Sequence, residues 1–273
     1  MAHLTFAYFS RTLNMEVRFE AVLPDIYRTE ERGKMPLLLL LHGMTDCESS
    51  YMRLSALEQY ARKHYMAIVT PTTHLGAYTN QYAGLRYFDF VSKELPEVCA
   101  AYLPVLTDRE HTWAAGLSMG GYGALKLGLA CPDRFSRIAV MSSGCDRAAL
   151  LPPECREIGT IEALYAKKDE LSERAFGSMM QFLTTYGPRE RFAADEVNNL
   201  FLLAEKAAGK ENLPAICMWC GVEDMMAIDP NRRFHAHLDK LGIEHTYVED
   251  HGMHEWDYWD SHLPAVLNWV DQK

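Results

Sequence analysis

The stretch "GLSMGGYGAL", Gly116 to Leu125, places one serine among four glycines. An apolar run, "TWAAGL" (112–117), leads into it, and a helical pattern, "ALKLGLA" (124–130), leads out. A surface serine needs no such backbone freedom. G-x-S-x-G between a strand and a helix is the signature of a turn so tight that its serine takes a strained conformation and stands exposed at the sheet edge. Residues two positions either side of that serine must lack side chains, and Gly116 and Gly120 meet the requirement. Gly121, Gly123 and Ala124 then keep the first helical turn thin against the sheet, with Ser118 at the positive end of the helix. Neither a complete G-x-G-x-x-G nor a G-x-x-x-x-G-K-[ST] is present to support a nucleotide reading.

Working outward, short β-rich apolar runs alternate with helical patterns. The expected strands are 15–24, 36–42, 66–71, 112–117, 137–143, 214–221 and 244–250. Several are hydrophobic almost without break, as strands buried on both faces should be. The expected helices are 53–64, 89–103, 121–131 and 229–242, with a last one formed by "EWDYWDSHLPAVLNWV". This alternation predicts a mostly parallel central sheet flanked by helices, the α/β-hydrolase architecture that the serine turn belongs to. Residues 146–210 are helical without a strand. They read as an insertion or cap before the acid-bearing strand, within one domain spanning 1–273.

In this architecture the acid and the base follow the serine in that order, each in a loop beyond a strand. "PAICMWCGVED" supplies Asp224, with Glu223 and Asp229 as competitors that spacing alone leaves open. "EHTYVEDHGMHEW" supplies His251 and His254, and His254, at the start of the final helix, is the better-held base. "LLLLLHGM" ends a buried strand at a glycine, where backbone can come close to substrate. The N–H groups of Met44 and of Met119, next to the serine, are the natural oxyanion donors.

The remaining composition excludes other classes. A net charge of −10 offers no basic patch for nucleic acid and disfavours anionic membranes. The N-terminus has no signal-peptide pattern, and no apolar run approaches membrane-spanning length. Seven scattered cysteines suggest reduced thiols and a cytoplasmic protein. Cys217 and Cys220 lie on one expected strand, where their side chains point to opposite faces, so no metal site is expected. No cofactor is expected either.

The chain resembles the esterase D-like α/β-hydrolases, and within them the tributyrin-esterase branch of small bacterial carboxylesterases. The resemblance is carried by "YFSRTLNMEVRFEAVLP", "LLLLLHGMTD", "KELPEV", "AAGLSMGGYGALKL", "WCGVED" and "GMHEWDYW". It implies Ser118, Asp224 and His254 as a catalytic triad and Met44 and Met119 as oxyanion donors. It also implies small short-chain acyl esters as substrates, and homo-oligomers are common among such enzymes. Acetyl and feruloyl esterases, S-formylglutathione hydrolases and acyltransferases built on the same triad are the alternatives. "GMTDC" and Tyr122 depart from the S-formylglutathione hydrolase pattern and count against that activity. Glu249, Asp250, Glu255, Asp257 and Asp260 would disfavour an anionic substrate if they faced the mouth, but are expected to form a solvated face.

Overall fold

The computed structural model describes residues 1–25 and 34–272. Its strands are β1 (Ala2–Ser10), β2 (Met15–Leu23), β3 (Leu37–Leu41), β4 (Ala67–Pro71), β5 (Thr112–Leu117), β6 (Arg137–Met141), β7 (Ala215–Gly221) and β8 (Thr246–Asp250). They form one sheet in the order β1-β2-β4-β3-β5-β6-β7-β8. The β1–β2 and β2–β4 pairs are antiparallel, and every later pair is parallel.

The unbroken apolar run of β3 follows from burial on both faces. Leu37, Leu39 and Leu41 enter one core, while Leu38 and Leu40 enter the other. Ile138 and Val140 of β6 alternate with Ala139 and Met141 in the same way. The early helices are α1 (Ser50–Leu54), α2 (Leu57–Ala61), α3 (Tyr87–Asp89), α4 (Leu95–Tyr102) and α5 (Met119–Ala130). Between β6 and β7 lie α6 (Ile161–Ala166), α7 (Glu173–Tyr186), α8 (Arg189–Ala193) and α9 (Leu200–Ala207), with no strand among them. The chain closes with α10 (Ile228–Leu241) and α11 (Trp256–Val270). Residues of α1, α2 and α11 fill the second core, and those of α4, α5, α7, α9 and α10 fill the first.

Three expectations need correction. β1 has no counterpart among the strands expected from sequence; it is an edge strand, mostly exposed, held by pairing with β2 and by Phe6 stacked 5.0 Å from Phe19. The helix expected over 53–64 is two short helices, because Ser55 adopts an extended conformation between them. The helix expected over 89–103 passes through a π-turn at Phe90–Glu94 before α4. All seven cysteines are free, and Cys217 and Cys220 enter different apolar clusters, as side chains on opposite faces of one strand do. Among the described residues no helix is long and apolar enough to cross a membrane.

Candidate active site

β5 runs directly into α5 through Ser118, whose φ of 51° and ψ of −113° depart from anything an ordinary serine adopts. The two flanking glycines explain how the turn closes. A β-carbon on Gly116 would sit 2.5 Å from the Gly120 carbonyl carbon. One on Gly120 would collide with the Leu41 carbonyl. The strained serine is held by its own backbone: its N–H donates to the Met141 carbonyl at 2.9 Å, and its carbonyl accepts from Gly144 at 2.9 Å.

Asp224 and His254 arrive from the loops after β7 and β8. His254 Nε2 lies 2.9 Å from Ser118 Oγ, and His254 Nδ1 lies 2.7 Å from Asp224 Oδ2. Asp224 is 0% exposed, and its other oxygen accepts from the N–H groups of Met226 (3.1 Å) and Ala227 (2.9 Å). Burial by itself would push this carboxyl up. The hydrogen bond and charge of His254, the Ser142 hydroxyl and the Ala227 N–H outweigh burial and hold it below the usual carboxylate range. An ionised Asp224 accepts from Nδ1–H, which leaves Nε2 free to accept the Ser118 proton. The competitors lie elsewhere. His251 is 92% exposed and bonds to Glu223, itself exposed, at 2.8 Å. Asp229 is exposed on α10.

The loop after β3, which carries Met44, is fixed carbonyl by carbonyl. Tyr51 donates to Leu41 O (3.0 Å), Tyr78 donates to His42 O (2.9 Å), and the His42 ring bonds Gly43 O at 2.7 Å. Thr73 N–H donates to His42 Nε2 at 3.0 Å, so Nδ1 carries the ring proton and is the donor to Gly43. Burial lowers the His42 pKa to about 4, which keeps the ring neutral. A trans peptide points its N–H opposite its carbonyl, so anchoring Gly43 O aims the Met44 N–H away from His42. Met44 lines the cavity beside Ser118, and Met119 opens α5 with its side chain in the core. Among the described residues neither Met44 N–H nor Met119 N–H is paired with an acceptor.

Ser118 and His254 open into a cavity of about 760 Å³. The helical segment after β6 supplies one wall, including Arg147, Leu151, Arg174, Phe182 and Tyr186. Trp256 and Trp259 supply another. Of the five carboxylates near the base, only Glu255 lines this cavity. Glu249 pairs with Arg232, Asp250 bonds Tyr258 and His262, and Asp260 bonds Ala56 N–H and Tyr60. Tyr122 is buried beneath the helical segment and donates to Asn198 O at 2.8 Å, so its departure from the related pattern changes packing and not the cavity lining.

Two contributors escaped sequence reasoning. Ser142, with φ of 47°, accepts from Trp259 Nε1 at 3.2 Å, and its hydroxyl helps hold the Asp224 carboxyl below the usual range. His42 was visible only as the residue before a glycine. His235, Asp239 and His245 form the one described cluster whose atoms could surround a metal ion; His235 and His245 bond each other at 2.7 Å, and none lines the cavity.

Comparison with known proteins places this geometry among relatives. A family model described as "Putative esterase" matches residues 10–270. An acetyl esterase of Caldicellulosiruptor saccharolyticus is 25% identical over 100% of this chain and 99% of its own length. An S-formylglutathione hydrolase of Mus musculus is 28% identical over 52% of this chain and 56% of its own. FphF, a fluorophosphonate-binding serine hydrolase of Staphylococcus aureus, superposes with a TM-score of 0.79 at 23% identity, covering 100% of this chain and 99% of that one.

Proposed function

The chain belongs to the esterase family and is a carboxylic ester hydrolase, and from that premise we propose that Ser118, His254 and Asp224 carry the reaction on short-chain acyl esters. One observation supports this most: the continuous chain from Ser118 Oγ through both ring nitrogens of His254 to a buried, ionised Asp224. Ser118 Oγ attacks the ester carbonyl carbon while His254 Nε2 takes its proton. Asp224 orients the imidazole and stabilises its cation without taking the proton. The N–H groups of Met44 and Met119 receive the oxyanion, each worth about 2.7–4 kcal/mol of transition-state stabilisation. As the tetrahedral intermediate collapses, His254 protonates the departing alcohol. It then removes a proton from water, which attacks the acyl-enzyme and releases the acid.

The full-length relative named as an acetyl esterase supports a small acyl group. So do the family traits carried by "LLLLLHGMTD" and "GMHEWDYW". Replacement Ser118→Ala is expected to lower kcat by about 10⁶ on p-nitrophenyl acetate or butyrate, with the circular dichroism spectrum and melting temperature preserved. A folded variant retaining a tenth of wild-type turnover would remove Ser118 from this role. A panel of p-nitrophenyl esters of increasing acyl length, with feruloyl esters and S-formylglutathione alongside, reads the substrate class. Highest kcat/KM on the short acyl chains is expected.

A further inference from the structure

Arg147 is 8% exposed, yet it lines the cavity that holds Ser118. Its guanidinium is charged at any physiological pH, and burying such a charge without a counter-charge is costly. Among the described residues no carboxylate pairs with it. The adjacent carboxylate, Asp146, is taken by Arg233 at 2.7 Å. Arg147 Nε donates to the Tyr186 hydroxyl at 3.1 Å, and the guanidinium carbon lies 5.8 Å from the centre of the Tyr122 ring. These contacts fix the plane of the group but leave its end-on pair of nitrogens, Nη1 and Nη2, without an acceptor among the described residues. That pair is the fork that binds a carboxylate through two parallel hydrogen bonds.

The fork is close to the reaction centre. A β-carbon on Gly144 would lie 3.2 Å from Arg147 Nη1 and 3.5 Å from the Ser118 carbonyl oxygen, so both groups border the same small volume. The charges lining the cavity are also sorted. Arg147 and Arg174 stand on the helical wall, whereas Asp46 lies in the loop after β3 and Glu255 follows the base. An anionic group on a bound ester therefore finds its attraction on the helical wall and its repulsion near Asp46 and Glu255.

We propose that Arg147 is a specificity-determining residue that binds a carboxylate carried by the substrate, so that the preferred ester bears a free carboxylate a few bonds from the scissile carbonyl. This rests on the esterase reading of Ser118, and the experiment separates the two. Two matched pairs of esters are compared: the p-nitrophenyl monoester of adipic acid against p-nitrophenyl hexanoate, and 4-acetoxybenzoate against its methyl ester. The first pair carries the charge on the acyl side and the second on the alcohol side. The readout is the ratio of kcat/KM, anionic over neutral, in wild type, Arg147→Gln and Arg147→Lys. The ratio in at least one pair is expected to fall about tenfold or more in Arg147→Gln, and by less in Arg147→Lys, which keeps charge but not the fork.

Ratios within twofold of wild type in both pairs would overturn the proposal while leaving the esterase reading intact. Wild type inactive on all four esters would overturn the esterase reading itself. Because Arg147 also braces Tyr186, a variant too damaged to assay gives way to a wild-type measurement. Adipate is expected to inhibit hydrolysis of the neutral ester competitively and more tightly than dimethyl adipate, and equal inhibition by the two would overturn the proposal.

Discussion

The β5–α5 turn and the helical wall between β6 and β7 face each other across one cavity, but they are built by different means. In the turn, backbone makes the geometry. Carbonyls of Leu41, His42 and Gly43 are each anchored, the Ser118 peptide is bonded on both sides, and two glycines exist because no β-carbon fits. On the wall, side chains make it: Arg147, Phe182 and Tyr186 are where they are because of what packs behind them. Main-chain geometry tolerates almost no change, whereas a side-chain wall can be rewritten. On the proposed reading, the chemistry belongs to the first region and the choice of ester to the second.

Matched glycine substitutions break that comparison most sharply. Gly120→Ala drives a β-carbon into the Leu41 carbonyl and is expected to cost more than about 4 kcal/mol, with loss of activity. Gly177→Ala, in α7, meets nothing within 4 Å and should instead stabilise the protein by about 0.5–1 kcal/mol. Urea denaturation of the two variants measures both. Equal and opposite tolerance, with Gly120→Ala folded and active, would mean that the turn is not the rigid member of the pair.

A smaller effect is expected one residue further from the chemistry. His42→Leu unpairs Gly43 O and Thr73 N–H, freeing the peptide that aims the Met44 donor. Turnover should fall about a hundredfold, as for loss of an oxyanion donor, with a stability loss of about 1–3 kcal/mol. Steady-state kinetics on a short ester checks the first figure, and a kcat within threefold of wild type would show that the loop holds its shape without the ring.

A pH-dependent effect concerns the contact between the two regions. Lys126 of α5 is fully buried and bonds Asn198 Oδ1 at 2.5 Å and Thr79 Oγ1 at 3.0 Å. Burial lowers its pKa to about 7 from 10.5, although the charges of Asp195, Cys131 and Asp89 pull it upward. Between these two values the unfolded chain binds more protons than the folded one, so this group makes stability rise with pH. Wild type should therefore gain stability relative to Lys126→Met as pH climbs from about 7 towards 10.5, with a flat difference below 7. Melts of both proteins across that range test the sign, and a difference that shrinks with rising pH would refute it.

How far the sequence reached follows the same division. The strands β3 to β7 were legible because burial leaves a nearly continuous apolar run, as in Leu37–Leu41, and β2 and β8 were legible from β-branched and aromatic residues such as Val17, Phe19, Tyr247 and Val248. Ser118, Asp224 and His254 were legible because each must stand just beyond a strand end in a set order, although Glu223 and His251 satisfied spacing equally well. The place of His254 before the final helix and the family resemblance favoured one of each pair, and packing agrees: Asp224 is buried and Glu223 is exposed. Ser142 and Arg147 were illegible for a stronger reason. Their roles depend on Trp259 and Tyr186, which are distant in the chain and brought near only by the folded layers. β1 was missed even though Leu4, Phe6, Tyr8 and Phe9 are apolar; it is exposed along most of its length and is held by pairing with β2.

The account stands or falls on whether Ser118 is the activated nucleophile that its 2.9 Å approach to His254 suggests. The direct measurement treats the folded protein with a fluorophosphonate and maps the adduct by mass spectrometry, in wild type and in His254→Ala. Stoichiometric modification of Ser118 in wild type, strongly slowed in the histidine variant, is the predicted result. An unmodified Ser118, or modification at the same rate without the imidazole, would contradict it.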